Sequence, residues 1–152
     1  MSTDPPDARP EIEHEVSYGG VAVRGDGGPA GAEVVVITPT GKHVTGLPKG
    51  RADDGESGGE AAAREVREET GVTVTIREPL GDVRYWYRRG GRRVSKTVHF
   101  FLCDYVRGDT ADHDHEVDEA RWLPIEEALQ ALSYPGEREM IQRALSRLRT
   151  TR

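Results

Sequence analysis

Apolar and polar positions along the chain fall into short β-rich runs that are separated by turn-forming sequences. The runs are rich in Val, Ile, Tyr and Phe, and glycine-containing stretches such as GDGGPAG and RRGGRR lie between them. RRGGRR is typical of a hairpin turn between two long strands. Pro79 and Gly81 interrupt the first of these two strands. The predicted strands are residues 16–24, 32–38, 72–87, 94–106 and 120–123, with a further short segment near 42–47.

Three segments show helical signals instead. Ser57 and Glu60 form a capping-box pattern, so a helix is predicted to begin there and to run through AAAREVREET to a C-terminal Gly71. Pro124 is predicted to open a second helix in its first turn, over IEEALQAL. A third helix over residues 136–149 carries an apolar stripe that predicts core packing, made of Met140, Ile141, Ala144, Leu145 and Leu148.

This order of elements predicts an α/β fold in which a mixed sheet lies between helices. A chain of 152 residues is the size of one domain, which we assign to residues 14–152. Residues 1–13 contain several Pro and Asp residues and are predicted to be a flexible tail. The sequence has neither an apolar run of membrane-spanning length nor a signal-peptide core, so no membrane partner is expected.

Charge and cysteine content narrow the expected partners and compartment. The net charge of −6 argues against broad binding to duplex nucleic acid, which favours a basic surface. Cys103 is the single cysteine, and the apolar run around it predicts a buried, inert thiol. A chain that forms no intrachain disulfide is expected in a reducing cytoplasm.

The first predicted helix carries three carboxylates on one face, because Glu65, Glu68 and Glu69 lie at positions i, i+3 and i+4. Clustered carboxylates repel one another, and hard divalent cations such as Mg²⁺ or Mn²⁺ remove that repulsion. The alternative is a solvated, Glu-rich helix in which Arg64 pairs with Glu60 or Glu68. Another face of the same helix is predicted to pack against a sheet through Ala62, Ala63, Val66 and Thr70.

The three carboxylates belong to a longer pattern. Gly50 and Glu56 precede Arg64 and Glu65, and the pattern closes with Glu68, Glu69, Gly71 and Val72. This is the full spacing of the Nudix box, so the chain resembles a Nudix hydrolase. The resemblance extends over residues 17–148 and implies an α/β/α sandwich with a mixed central sheet, over which the box helix and its loop lie.

The resemblance also implies roles for the box residues. Glu65, Glu68 and Glu69 are the expected metal ligands, together with the backbone carbonyl of Lys49 or Gly50. Arg64 is expected to orient a ligating glutamate through an ion pair. Mg²⁺ is the expected cofactor, with Mn²⁺ as an alternative. The implied reaction is attack of a metal-activated water on phosphorus, which splits a pyrophosphate. The first glutamate of the box, Glu56, is expected to support the loop or an outer-shell water.

The sequence alone does not identify the general base of this reaction. It lies on the box helix in many Nudix enzymes and on a loop before a late strand in others. Glu116 stands in such a loop, and the surrounding HDHEVDEARWL is similar to the corresponding segment of Nudix diadenosine polyphosphate hydrolases. The alternative is that Glu116 and its acidic neighbours form a solvated loop.

Aromatic and basic residues suggest the class of substrate. Diadenosine polyphosphate hydrolases of this family tend to carry a tyrosine at about the distance of Tyr85 and Tyr87 from the box. An aromatic face can stack on adenine while basic side chains hold a long polyphosphate, although these aromatics could also be ordinary sheet residues. Alternation along the strand puts Tyr85 and Tyr87 on one face and Trp86 on the other. The candidate phosphate ligands are Lys49, Arg51 and Lys96, and Lys42, Arg84 and His99 are further candidates along the same cleft.

The sequence therefore predicts a cytoplasmic, Mg²⁺-dependent pyrophosphohydrolase whose substrate is a dinucleoside polyphosphate such as diadenosine tetraphosphate. Three alternatives stay open: a pyrophosphohydrolase of oxidised nucleoside triphosphates such as 8-oxo-dGTP, an ADP-ribose pyrophosphatase, and a nucleotide sensor without turnover. The intact box argues against the sensor. Nudix enzymes often form homodimers, but this sequence offers no readable interface for one.

Overall fold

A mixed sheet forms the centre of the computed structural model, which describes residues 12–25 and 29–150. Within these residues the sheet has six strands, in the order β4-β5-β1-β2-β6, and the short β3 pairs with β1. Strands β1 and β5 run parallel, and the other pairs are antiparallel. The strands are β1 (Glu13–Arg24), β2 (Glu33–Pro39), β3 (Lys49–Gly50), β4 (Val72–Arg89), β5 (Arg92–Gly108) and β6 (Val117–Pro124).

Helices cover both faces of this sheet. They are α1 (Gly58–Thr70), α2 (Ile125–Ala131) and α3 (Pro135–Thr150). On one face, α1 buries Val66 against the sheet residues Ala22, Val35, Val74 and Cys103. On the other face, α2 and α3 bury a larger cluster that includes the predicted stripe of Met140, Ile141, Ala144, Leu145 and Leu148. The predicted α/β/α sandwich with a mixed central sheet is confirmed.

Helix α1 has the ends that its sequence predicts. The Ser57 side chain accepts from the N–H of Glu60 at 3.1 Å, and the Glu60 carboxylate accepts from the N–H of Ser57 at 2.9 Å. Glu60 therefore takes part in the helix cap instead of forming an ion pair with Arg64. Gly71 ends the helix with φ 80°, a left-handed conformation that favours glycine. The buried face consists of Ala61, Ala62, Val66 and Thr70. Ala63, which was also predicted to pack against the sheet, is half-buried and packs at the edge of this face.

Strand β1 is longer than its sequence predicts. It begins at Glu13 rather than at residue 16, because its parallel register with β5 already starts at the pair Glu13 and Val94. The last residue of the predicted tail thus lies in the strand, and residues 1–11 of that tail lie outside the described residues. Pro124 closes β6 and occupies the N-cap of α2, one position before the first turn in which it was predicted.

Strand β4 continues past the interruption that Pro79 and Gly81 predict. The register with β5 shifts between Ile76 and Glu78 and again between Pro79 and Gly81, so the predicted break is a pair of irregularities within one strand. Proline lacks the N–H that a regular ladder requires, which explains its position at a shift. Beyond it the β4–β5 ribbon extends to Arg89 and carries the aromatic residues of the predicted substrate cleft.

Two further observations concern Cys103 and the helices of the described part of the chain. Cys103 is buried and unpaired, and burial raises the pKa of its thiol to about 12, as expected for an inert cysteine. None of the described helices combines the length and the apolar character that crossing a bilayer requires.

Candidate active site

Strand β3 brings the loop that precedes α1 onto β1, where Gly50 pairs with Tyr18. The Glu65 carboxylate of α1 lies directly against the Cα of Gly50, so a β-carbon at position 50 would overlap the carboxyl group. Only glycine leaves room for this contact. The first glycine of the box thereby determines where one of the box carboxylates lies.

Arg64 connects three of the box carboxylates. Its guanidinium donates to both oxygens of Glu56, at 2.7 and 3.0 Å, and its Nη1 donates to Glu65 and to Glu68, each at 3.1 Å. Its Nη2 also donates to the carbonyl oxygen of Arg51 at 2.8 Å. The hydrogen bonds to Glu56 raise the pKa of Arg64. Arg64 thus fixes the loop through Glu56 and Arg51 and holds two of the predicted metal ligands.

Glu69 is directed toward β3 rather than toward Arg64. Its Oε1 accepts from the backbone N–H of Lys49 at 3.1 Å. Burial raises the pKa of Glu69 to about 8, and the charges of Glu65 and Asp114 add to this effect. The N–H and the ammonium of Lys49 oppose it without cancelling it. The ionised form of Glu69 therefore needs positive charge nearby.

The pKa of Glu65 is raised as well. Burial raises its pKa, Arg64 counteracts that rise, and the charges of Glu68 and Glu116 reinforce it. Two neighbouring carboxylates with raised pKa values on one helix form an oxygen-rich, negatively charged donor set of the kind that suits a hard divalent cation. Among the described residues, no three carboxylate, imidazole or thiol groups already converge in a coordination shell. Arg64 and the Lys49 N–H hold the carboxylates instead, and the chemistry of the donor set fits the ion.

The loop before β6 docks against the C-terminal half of α1. The backbone N–H of Asp114 donates to the carbonyl oxygen of Glu68 at 2.8 Å, and the Asp114 side chain accepts from the N–H of Glu116 at 3.1 Å. The Glu116 side chain is exposed, and its charge contributes to the raised pKa of Glu65. The loop thus brings two more carboxylates to the rim of the box.

A cavity of about 500 Å³ opens beside β3. Three basic side chains line it, namely Lys42, Lys49 and Lys96. Burial lowers the pKa of Lys96, and the positive charge of Lys49 lowers it further. An anionic ligand would relieve the repulsion between these ammonium groups. Arg51 lies near the cavity, since its charge is also felt by Lys96.

Aromatic residues form the rest of the cavity wall. Tyr85 and Tyr87 both line it, in agreement with their predicted common face. Tyr134 packs edge-to-face on Tyr85, with 5.6 Å between ring centroids. The Tyr87 hydroxyl donates to the buried Glu15 at 2.6 Å. Trp86 was predicted to lie on the other face, but it also lines the cavity, and its half-exposed ring stacks on the guanidinium of Arg93 at 4.6 Å.

Two residues predicted for this cleft lie elsewhere. Arg84 and His99 alternate with cavity-lining residues of β4 and β5, so their side chains are on the opposite face of the sheet. There, Nδ1 of His99 lies 2.6 Å from the Asp82 carboxylate, and its ring lies 5.5 Å from that of Tyr18. Their assignment to the cleft was wrong, because it ignored the period of two along a strand.

Three residues that sequence reasoning missed belong to the cavity region: Tyr134 on its wall, and the buried carboxylates Glu15 and Glu137 beneath it. Glu137 had a signal in the sequence, since it extends the apolar stripe of α3 by one turn, where a charged residue must find partners. Tyr134 had no comparable signal. A separate cavity of about 180 Å³, lined by Arg24, Arg77 and Asp104, does not touch the box.

The chain matches the family model of the NUDIX domain over residues 13–144. The chain therefore belongs to the Nudix family, and its box occupies the position described above. The fold agrees with solved structures of the family. A NUDIX hydrolase from Nitrosomonas europaea aligns with a TM-score of 0.70 and 20% identity, over 91% of this chain and 93% of that one. An Ap4A hydrolase from C. elegans aligns with a TM-score of 0.66 and 22% identity, over 88% of this chain and 97% of that one.

Sequence relatives fall into more than one functional class. A Mycobacterium tuberculosis protein provisionally described as mutator protein MutT4 is 39% identical over 133 residues, which are 85% of this chain and 54% of that protein. An 8-oxo-(d)GTP phosphatase of Mycolicibacterium smegmatis is 39% identical over 80% of this chain and 36% of its own length. A mouse bis(5'-nucleosyl)-tetraphosphatase is 32% identical over 67% of this chain and 70% of its own length. The chain thus spans about half or less of the first two relatives.

Proposed function

We propose that this protein is a metal-dependent hydrolase that cleaves a pyrophosphate linkage in a nucleoside diphosphate derivative, with dinucleoside polyphosphates as the preferred class. The observation that carries the proposal is the cavity of about 500 Å³ next to the box, which combines three lysines with a tyrosine wall. Lysines are suited to a chain of phosphates, and tyrosines to the face of a base.

The box supplies the proposed cation site. Glu65, Glu68 and Glu69 would hold the ion with carboxylate oxygens, and the backbone carbonyl of Gly50 is a further donor. Mg²⁺ is the proposed ion because it prefers oxygen ligands and commonly binds next to phosphates, and Mn²⁺ is the substitute. When bound, such an ion lowers the pKa of a coordinated water and stabilises negative charge on phosphoryl oxygens.

The residues of the chain have separate roles in this proposal. Arg64 orients Glu65 and Glu68 through its hydrogen bonds at 3.1 Å. Lys49, Lys96 and Arg51 hold the phosphates of the substrate, since their positive charges lie in or near the cavity. Glu116 is the proposed general base, because the docked loop holds it close enough to influence the pKa of Glu65.

The aromatic wall favours a substrate with a base in the cavity. Tyr85 and Tyr134 meet at right angles, so one ring can stack on a base while the other contacts its edge. Tyr87 lies further along the same strand, near the hairpin. A dinucleoside polyphosphate offers both a base and a long phosphate chain to these groups.

Hydrolysis of oxidised nucleoside triphosphates is the second candidate. It is supported by the relative named as an 8-oxo-(d)GTP phosphatase, whose identity to this chain exceeds that of the mouse tetraphosphatase. In this case the cavity would bind a single nucleotide, and the exposed outer tyrosine Tyr87 would contribute little to binding.

The test is product identification by anion-exchange chromatography after incubation with Mg²⁺. Diadenosine tetraphosphate, 8-oxo-dGTP and ADP-ribose are offered separately at the same low concentration. ATP plus AMP from the dinucleotide, with much slower loss of the other two, is the expected result. Preferred cleavage of 8-oxo-dGTP or ADP-ribose would overturn the proposed substrate class, and no turnover of any compound would favour a nucleotide sensor.

A further inference from the structure

Helix α3 contributes a buried charge to the underside of the cavity. The Glu137 side chain is fully buried, although it lies in the first turn of the helix. Three donors converge on its carboxylate. The N–H of Leu47 donates to Oε1 at 2.9 Å, and both the Lys49 ammonium, at 2.9 Å, and the Tyr85 hydroxyl donate to Oε2. A buried carboxylate without such partners would be strongly destabilising, so this cluster is a fixed unit.

Lys49 connects this unit to the box. Its Nζ donates to Glu137 at 2.9 Å and to the carbonyl oxygen of Leu47 at 3.0 Å. Its backbone N–H donates to Glu69 at 3.1 Å. These contacts within the described residues use two of the three N–H donors of the ammonium, and the side chain also lines the cavity. One donor therefore remains for a ligand.

The same turn of α3 determines the aromatic wall. The N–H groups of Glu137 and Arg138 both donate to the carbonyl oxygen of Tyr134, at 3.0 and 3.1 Å. The Tyr134 ring packs on Tyr85, whose hydroxyl donates to Glu137. The Lys49 ammonium lies 5.6 Å from the centroid of the Tyr85 ring and 6.0 Å from that of Tyr134. The lysine and both tyrosines are thus held in one arrangement around the Glu137 carboxylate.

We propose that Glu137 is a positioning residue that holds the Lys49 ammonium at the cavity wall, where it binds a phosphate of the substrate. This inference rests on the proposed function, in which Lys49 is a phosphate ligand. A flexible lysine loses rotamer entropy whenever it binds a ligand, and a buried carboxylate that already fixes the side chain removes most of that cost. Glu137 itself touches neither substrate nor metal in this role.

A buried ion pair can also serve stability alone, so the test must separate the two roles. Glu137→Gln keeps the shape of the side chain and removes the charge and one acceptor oxygen. Glu139→Gln is the matched control on the same helix, since Glu139 is exposed and pairs with Arg143 at 2.9 Å. Thermal unfolding identifies any loss of fold. If the Gln variant does not fold, Glu137→Met, which fills a similar volume without charge, takes its place.

The first readout is the rate at which an acylating reagent modifies Lys49, measured by peptide mass mapping with Lys42 as the internal reference. Glu137→Gln is expected to raise the ratio of Lys49 to Lys42 modification about tenfold, the order of effect expected when one charge-assisted hydrogen bond is lost. Glu139→Gln should leave the ratio unchanged. An unchanged ratio in Glu137→Gln would overturn the inference, whatever the substrate is.

The second readout is affinity for inorganic tripolyphosphate, measured by calorimetry, because it does not depend on the nucleotide. Glu137→Gln is expected to weaken binding about tenfold relative to wild type. In a Lys49→Met background the same change should have less than a twofold effect, because Glu137 acts through Lys49. Equal affinity of wild type and Glu137→Gln, or an undiminished effect without Lys49, would overturn the inference. Failure of the proposed substrate class would appear separately, as absence of dinucleotide cleavage by the wild type.

Discussion

The Glu65 carboxylate packs against the Cα of Gly50, and this contact links the short strand β3 to the box helix α1. Two residues that are fifteen positions apart in the sequence thus fix one another. The contact explains in steric terms why the box has glycine at its first position, since any side chain there would displace a carboxylate.

Gly50→Ala should therefore impair turnover more than folding. The added methyl group would push Glu65 out of place, and a misplacement of about 1 Å at a catalytic site can reduce the rate on the order of a hundredfold. Steady-state kinetics on the best substrate of the panel measures this effect. Gly59→Ala is the control, because the same substitution there meets Ile76 at an ordinary 3.6 Å. Similar activity of both variants would contradict the packing account.

The first turn of α1 contains two glycines that should respond in opposite ways to replacement by alanine. A β-carbon at Gly59 has space, so Gly59→Ala should stabilise the protein by about 0.5–1 kcal/mol through helix propensity. A β-carbon at Gly58 would lie 2.8 Å from the Tyr18 ring, so Gly58→Ala should gain nothing or lose stability. Denaturant unfolding measures the difference, and equal gains at both positions would be inconsistent with the Tyr18 contact.

The raised pKa of Glu69 makes the stability of the metal-free protein depend on pH. The folded-state pKa of about 8 lies above the ordinary value of 4.5, so folding favours the protonated carboxyl. This contribution is complete below about pH 4.5 and is lost as the pH rises through 8. In EDTA, Glu69→Gln should thus unfold near the wild-type temperature at pH 5 and about 3 °C or more above it at pH 9. Mg²⁺ should reduce the difference in unfolding temperature between the two proteins at pH 9. A difference that does not change with pH would contradict the raised pKa of Glu69.

The cavity wall predicts different roles for two exposed or half-buried aromatics. Tyr134→Ala should raise KM for the dinucleotide about tenfold with a smaller change in kcat, because stacking on a base is worth on the order of 1–3 kcal/mol. Trp86→Ala is the comparison, since the Trp86 ring stacks on Arg93 rather than on Tyr85. Initial-rate measurements over a range of substrate concentrations give KM and kcat for both variants. A larger increase in KM for Trp86→Ala would instead indicate that the base binds near the hairpin.

The box helix could be predicted from the sequence because its signals are local. Ser57, Glu60 and Gly71 act within one turn of the helix ends, and the spacing of Glu65, Glu68 and Glu69 places them on one face in any α-helix. The order of strands and helices likewise indicated a mixed sheet between helical layers. The start of β1 could not be predicted as well, because its first residues form a strand only through pairing with β5.

The cavity depends on contacts between distant parts of the chain, and the sequence could not indicate them. Tyr134 meets Tyr85 only because α3 docks against the extended β4–β5 ribbon. Glu137 and Lys49 are 88 positions apart and come together through the same docking. His99 was misassigned for a related reason: residue type suggested the cleft, whereas strand alternation directs the side chain to the other face.

The central claim is that the box carboxylates hold the metal that performs pyrophosphate cleavage, and Glu68→Gln tests it most directly. Glu60→Gln is the matched control on the same helix, because glutamine can preserve the capping box. With Mg²⁺ and the best substrate of the panel, kcat of Glu68→Gln should fall at least about a hundredfold, since metal stabilisation of transition-state charge is worth several kcal/mol. Nucleotide binding should survive, and Glu60→Gln should retain nearly full activity. Turnover of Glu68→Gln within about twofold of the wild type would contradict the assignment of the metal site.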